Sequence, residues 1–292
     1  MSFAVILAFL MTLITASSNV ILKKGFSKIS PFAAVYISVI ISTIFLWCAT
    51  FLFVPRNYFC NYKGIMIFVL IGSFAPTIVR TLTYYGIHKL GAGRAAPLRA
   101  MTPFFATIIA IVFLKESPKP SIFVGIFLII LGIIVLSKKN EDNITQWRLN
   151  YFFYPLGAAI LAGLAANLRK FGLNLMPQPV FASTIAATSS LIFLTGYIFF
   201  KYKKIEITQL RHSKAIKLII IAAFLTSCGE IVDLSALLYG KVSLVVPIFA
   251  TTPLIIIFLS RIFLKKQETI TKYLILSTIL IILGVYFTVI SA

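Results

Sequence analysis

The chain is written as apolar runs of about 20 residues separated by short polar gaps, and no other feature restricts its fold as strongly. Ten runs qualify: Ser2–Leu22, Pro31–Val54, Gly64–Ile87, Gly93–Leu114, Ser121–Ser137, Tyr151–Phe171, Pro179–Phe200, Ala215–Leu238, Val242–Leu264 and Thr271–Ser291. A run of this length crosses the hydrocarbon core as an α-helix, because a helix satisfies every backbone N–H and C=O within its own segment. Hydrophobic residues make up 60% of the chain and charged residues 12%, against roughly 45–50% and 25% in a soluble domain. Lipid must therefore be the solvent for much of this surface. The expected fold is an all-α membrane protein with ten transmembrane helices. Ser2–Leu22 lacks the basic flank of a signal peptide and is read as the first, uncleaved helix.

A formal net charge of +20 resembles that of a nucleic-acid binder. The lysines and arginines lie mostly in the gaps between apolar runs, however, which is the pattern of charged membrane loops. No nucleic-acid partner is expected; the bilayer and a small-molecule substrate are. Cys48, Cys60 and Cys228 are odd in number and widely spaced, so free thiols are expected rather than a disulfide framework or a metal site. No cofactor is implied. The polar stretch 138–150 divides the chain into 1–137 and 151–292, with five apolar runs on each side.

The two parts repeat one another. Pro97 and Pro103 in the fourth run have mates at Pro247 and Pro253 in the ninth, both 150 residues on. Met101-Thr102-Pro103-Phe104 faces Thr251-Thr252-Pro253-Leu254, and Phe113-Leu114-Lys115 faces Phe263-Leu264-Lys265. Glu116 and Glu268 follow, and Leu131-Gly132 matches Leu283-Gly284. Asn19 and Asn167, each followed by basic residues, are weaker partners in the first and sixth runs. Five spans is an odd number, so the second repeat starts on the opposite side of the membrane from the first. The two five-helix repeats are then inverted, with a binding site expected between them near the midplane.

In this arrangement the chain resembles the drug/metabolite transporter superfamily, specifically EamA-like exporters with ten helices and two tandem repeats. The resemblance rests on Ala16-Ser17-Ser18-Asn19 near the end of the first helix, on the Pro97 helix ending in Phe113-Leu114-Lys115-Glu116, and on the Leu131-Gly132 helix after it. It implies a multi-pass protein of a bacterial-type inner membrane, with both termini inside. The charge count points the other way: most Lys and Arg fall in the connections after odd-numbered helices, which places both termini outside. Either way, ten spans leave both termini on one side.

Of seven acidic residues, Glu230 and Asp233 alone fall within a spanning run. An ionised side chain costs several kcal/mol at the bilayer centre and so marks a wet cavity or a pair. Thr226, Glu230 and Asp233 share a helical face at i, i+4 and i+7. Thr77, Arg80 and Tyr84 do the same in the third run, and Arg80 and Glu230 are 150 residues apart. These residues form either a substrate or coupling site, or a structural ion pair; an eighth helix that starts late would instead leave Glu230 in water. Arg99, just after Pro97, either holds a substrate carboxylate or snorkels to the interface. Asn19 and Asn167 either line the cavity or bond between helices. Pro97, Pro103, Pro247 and Pro253 either shape a cavity or kink helices for packing.

No Gly-x-Ser-x-Gly, His-Glu-x-x-His or Walker signature is present, so neither an enzyme nor an ATP-driven pump is expected. The expected function is secondary transport, gradient-driven or facilitated, of an amino acid or related carboxylate-bearing metabolite by alternating access. A proton-coupled cation or drug exporter is the alternative within transport. An intramembrane enzyme acting on a lipid is the alternative from another class.

Overall fold

The structure, a computed structural model, describes residues 3–25, 31–79, 82, 98–99, 101–137, 149–201, 213–252, 254–255, 258–259 and 272–290. Ten α-helices run through these residues: α1 Phe3–Gly25, α2 Pro31–Phe53, α3 Tyr62–Phe74, α4 Thr102–Leu114, α5 Pro120–Ser137, α6 Phe153–Leu175, α7 Pro179–Lys201, α8 Ser213–Tyr239, α9 Val242–Phe249 and α10 Lys272–Val289. Proline opens α2, α5 and α7, where its missing N–H is one the first turn would leave unpaired anyway. α3 runs on into a π-helical turn, Ala75–Val79, which contains Pro76. Six of the described helices are long and apolar enough to cross a bilayer unaided.

Large apolar side chains stand on the outside of the bundle, and several polar ones are buried within it. Phe200 is 88% exposed, Phe199 79% and Leu52 76%, while Asp233 is 5% exposed and Ser227, Ser243, Thr12 and Thr184 are fully buried. Only a hydrocarbon solvent makes that distribution favourable.

The packed pairs are the signature of a two-fold. α1 lies on α8, and its mate α6 lies on α3; α2 lies on α8 and α7 on α3; α1 lies on α9 and α6 on α4. Exchanging the first five helices for the last five maps each of these contacts onto another, as two inverted five-helix repeats require. The halves also meet through α2 and α7, α4 and α9, and α5 and α10, each pair joining a helix to its own repeat mate. Between apolar helices in lipid, hydrophobicity supplies no attraction, so close backbone approach must. In the α5–α10 pair the approach is made at Gly125 and Gly284: a Cβ on Gly125 would lie 2.6 Å from Gly284 O, and one on Gly284 would lie 2.7 Å from Gly125 O.

The fourth and ninth runs depart from the expected continuous spans. α4 begins at Thr102 after a turn at Met101, with helical geometry at 98–99 before it. α9 ends at Phe249, turns at Ala250 and Thr251, and is helical again from Thr252. The two breaks are 150 residues apart and have one cause. Pro103 and Pro253 carry no N–H for the carbonyls four residues earlier, those of Arg99 and Phe249. In both repeats the threonine before the proline takes over: Thr102 Oγ1 donates to Arg99 O at 2.8 Å and Thr252 Oγ1 to Phe249 O at 2.5 Å. The chain tightens there through Met101 N to Leu98 O and Thr251 N to Ile248 O. Pro97 and Pro253 themselves lie outside the described residues.

Candidate functional site

α8 runs without interruption from Ser213 to Tyr239. Glu230 therefore stands in its interior, which removes the late-starting eighth helix that would have left this carboxylate in water. Thr226, Glu230 and Asp233 all line one cavity of about 60 Å³ enclosed by α2 and α3 of the first repeat and α6, α7 and α8 of the second. A water molecule needs roughly 10–15 Å³ by this measure, so the space holds several waters or the polar head of a small solute.

Asp233 is buried, and its Oδ2 accepts a 2.6 Å hydrogen bond from Arg169 Nη1, an ion pair between α6 and α8. The expected partner, Arg80, lies outside the described residues, as does Tyr84. Arg169 escapes a reading of the sequence because it stands near the end of its apolar run, next to Lys170, where basic residues look like a helix-end flank. Its place inside Tyr151–Phe171 is the available signal. Glu230 lies one turn away on the same face of α8, so among the described residues the cavity presents one guanidinium and two carboxylates.

Hydroxyl groups complete the wall. Ser38 and Ser42 come from α2, Ser183 and Ser190 from α7, and Thr226 from α8. Several of them also tie helices together, as small polar residues do in lipid. Thr226 Oγ1 and Ser18 Oγ share a 2.9 Å hydrogen bond between α8 and α1, and Ser227 Oγ donates to Ser42 Oγ at 2.8 Å between α8 and α2. Ser190 is different: it is 1% exposed, and its Oγ has no hydrogen-bond partner among the described residues. A buried hydroxyl left unsatisfied costs about 1–3 kcal/mol, and this one borders the cavity.

The other candidates lie elsewhere. Asn19 is exposed on α1. Asn167 is buried and joins α6 to α4, its Nδ2 donating to Gly163 O and Ala106 O, both at 2.9 Å; that is the helix-bonding reading. Arg99 sits beside the Met101 break, where its Nη1 donates to Thr102 Oγ1, and it is not among the residues around the cavity. Thr77 belongs to the π-helical turn and also stands apart from the cavity. Pro103 is buried in the first turn of α4 and Pro247 is buried inside α9.

Comparison with known proteins follows the same two-part division. The sequence matches the EamA-like transporter family over residues 2–138 and again over 150–290. An uncharacterised protein of Methanocaldococcus jannaschii is 39% identical over 93 residues, which cover 32% of this chain and 68% of that protein. A solved crystal structure superposes with a TM-score of 0.75 over 99% of this chain and 97% of the other; at 14% identity that likeness speaks for the fold alone. With its two matched repeats and its membrane-type burial, the chain belongs to the EamA-like transporter family.

Proposed function

We propose that this membrane transporter moves an amino acid, or a related metabolite bearing a carboxylate, by alternating access around the Arg169–Glu230–Asp233 cavity. One observation carries the reading: a guanidinium and two carboxylates share a single hydroxyl-lined cavity walled by both repeats. Arginine offers a planar fork of donors that matches a carboxylate. Glu230 offers an acceptor for an ammonium group on the same wall. A zwitterion thus finds both partners, with Asp233 ceding part of its hold on Arg169 to the substrate carboxylate. The unsatisfied Ser190 hydroxyl is a third point of attachment.

The second carboxylate also favours the alternative, a cation exported in exchange for protons, with Glu230 carrying either the proton or the cation. Thermal unfolding of the purified protein separates the two readings, because a ligand that binds only the folded state stabilises it by about 2.7 kcal/mol at a hundredfold excess over Kd. Free amino acids are expected to raise Tm. The same compounds without the carboxylate, or with the amine acetylated, are expected to do so far less. Stabilisation by the decarboxylated amines equal to that by the parent amino acids would instead establish the cation reading. In sealed vesicles Ser190→Ala is expected to weaken uptake of the stabilising compound severalfold without lowering Tm, since its Oγ makes no hydrogen bond among the described residues that the substitution would break.

A further inference from the structure

Two sets of hydrogen bonds tie helices together at the face carrying the C-terminal ends of α4, α6 and α8. The first joins the repeats and belongs to Glu116. Its Oε1 accepts from Val242 N at 2.8 Å; its Oε2 accepts from Ser243 N at 3.1 Å and from Ser243 Oγ at 2.6 Å. Glu116 follows α4 of the first repeat, while Val242 and Ser243 open α9 of the second. The first N–H groups of a helix have no partner within it, and its N-terminus attracts negative charge, so a carboxylate is the strongest side-chain cap available there. Lys115 makes the reach possible. It adopts a left-handed conformation, φ 53°, at the end of α4, and the turn is closed by Glu116 N donating to Ala110 O at 3.2 Å. The second set belongs to Lys170, whose Nζ donates to Leu237 O at 2.7 Å and Leu238 O at 3.2 Å, binding α6 to the last turn of α8 within the second repeat.

The Lys170 contact lies close to the cavity along α6 and α8. Asp233 lies six residues before Tyr239, the end of α8, and therefore about 9 Å below this face. Arg169 is the neighbour of Lys170 in sequence. α9 is a short unit, because the helix breaks after Phe249. If α9 parted from α4, water would replace the carboxylate on its N–H groups, so releasing Glu116 would cost only the net value of charged hydrogen bonds.

We propose that Glu116 is the latch of this face: its carboxylate fastens α4 of one repeat to α9 of the other, and the cavity opens to that face only when these hydrogen bonds break. The proposal rests on the transport reading in requiring that each face open in turn, but its test needs no substrate. A cysteine is placed in the cavity by Ser190→Cys in a chain whose Cys48, Cys60 and Cys228 are replaced by serine. The chain is reconstituted in vesicles, and the rates of labelling by a membrane-impermeant maleimide are compared from the two faces. Glu116→Ala is expected to raise the latch-face rate relative to the opposite face on the order of tenfold, the loss of one net charged hydrogen bond. Ser243→Ala, which removes one of the three bonds and is milder on folding, is expected to raise the same ratio by a smaller factor. An unchanged ratio in both variants, whatever happens to thermal stability, overturns the latch and leaves Glu116 a static helix cap. Failure of amino acids to bind in the unfolding assay would refute the substrate and leave this result untouched.

Discussion

At the scale of single residues, the Arg169–Asp233 pair poses the question every intramembrane ion pair poses: whether it stabilises or works. Taking charges out of water is expensive, and a matched apolar pair often packs as stably as a buried ion pair, whereas removing one partner strands the other. Arg169→Ala is expected to destabilise the protein by about 3 kcal/mol, the low end for a buried pair because the Arg169 side chain keeps 29% of its exposure. The double variant Arg169→Met with Asp233→Leu is expected to recover most of that loss. It should still fail to transport, since neither the guanidinium nor the Asp233 carboxylate remains at the cavity wall. Thermal unfolding together with vesicle flux checks both halves of the statement. A double variant that transports like the wild type would make the pair a purely structural part of the α6–α8 contact.

At the scale of helices, identical substitutions should have opposite signs depending on what faces them. Glycine in a helix interior costs roughly 0.5–1 kcal/mol relative to alanine. A methyl group added at Gly196 in α7 would meet nothing within 4 Å, so Gly196→Ala is expected to gain about that amount. One added at Gly284 in α10 would lie 2.7 Å from Gly125 O and 2.9 Å from Ile129 N, both backbone atoms of α5 that cannot step aside. Gly284→Ala is expected to lose about 1–3 kcal/mol through forced separation of α5 and α10. Thermal unfolding of the two variants in one detergent gives the comparison. A gain for both would show that the α5–α10 contact is looser than its backbone approach indicates.

At the scale of the whole molecule, the ten spans expected from the sequence, being even in number, would bring both ends of the chain to one side of the membrane. Cysteines introduced at Ser2 and Ala292 are expected to react with an impermeant reagent from the same face of sealed vesicles. The excess of Lys and Arg in the connections after odd-numbered helices predicts that this face is outside. Labelling from opposite faces would be incompatible with ten spans. Labelling from the inside would keep the architecture and show that the resemblance, rather than loop charge, predicts orientation. The same architecture explains why the paired breaks at Met101 and Thr251 occur together: an inverted repeat duplicates every local device, so a Thr-Pro step in one repeat reappears in its mate.

What the amino-acid sequence determined alone was everything that depends on local chemistry. Apolar runs of spanning length set the solvent and the class, because unsatisfied backbone has no place in lipid. The repeated prolines, 150 residues apart, revealed the duplication, and the odd number of runs per repeat implied its inversion. Glu230 and Asp233 were legible as candidate site residues because a carboxylate inside an apolar run is too costly to be idle. What only the tertiary structure decided was pairing. Arg169 reaches Asp233 because α6 packs beside α8, a contact between residues 64 positions apart that no helical spacing encodes. Asn167 bonds Ala106 O and Asn19 faces outward, although the two look alike in sequence, because Asn167 stands on the face of α6 packed on α4 while Asn19 stands on an exposed face of α1. Glu116 reads as one more loop charge until α9 stands beside it. Helix periodicity places a side chain on a face; which face meets which is settled only when the bundle closes.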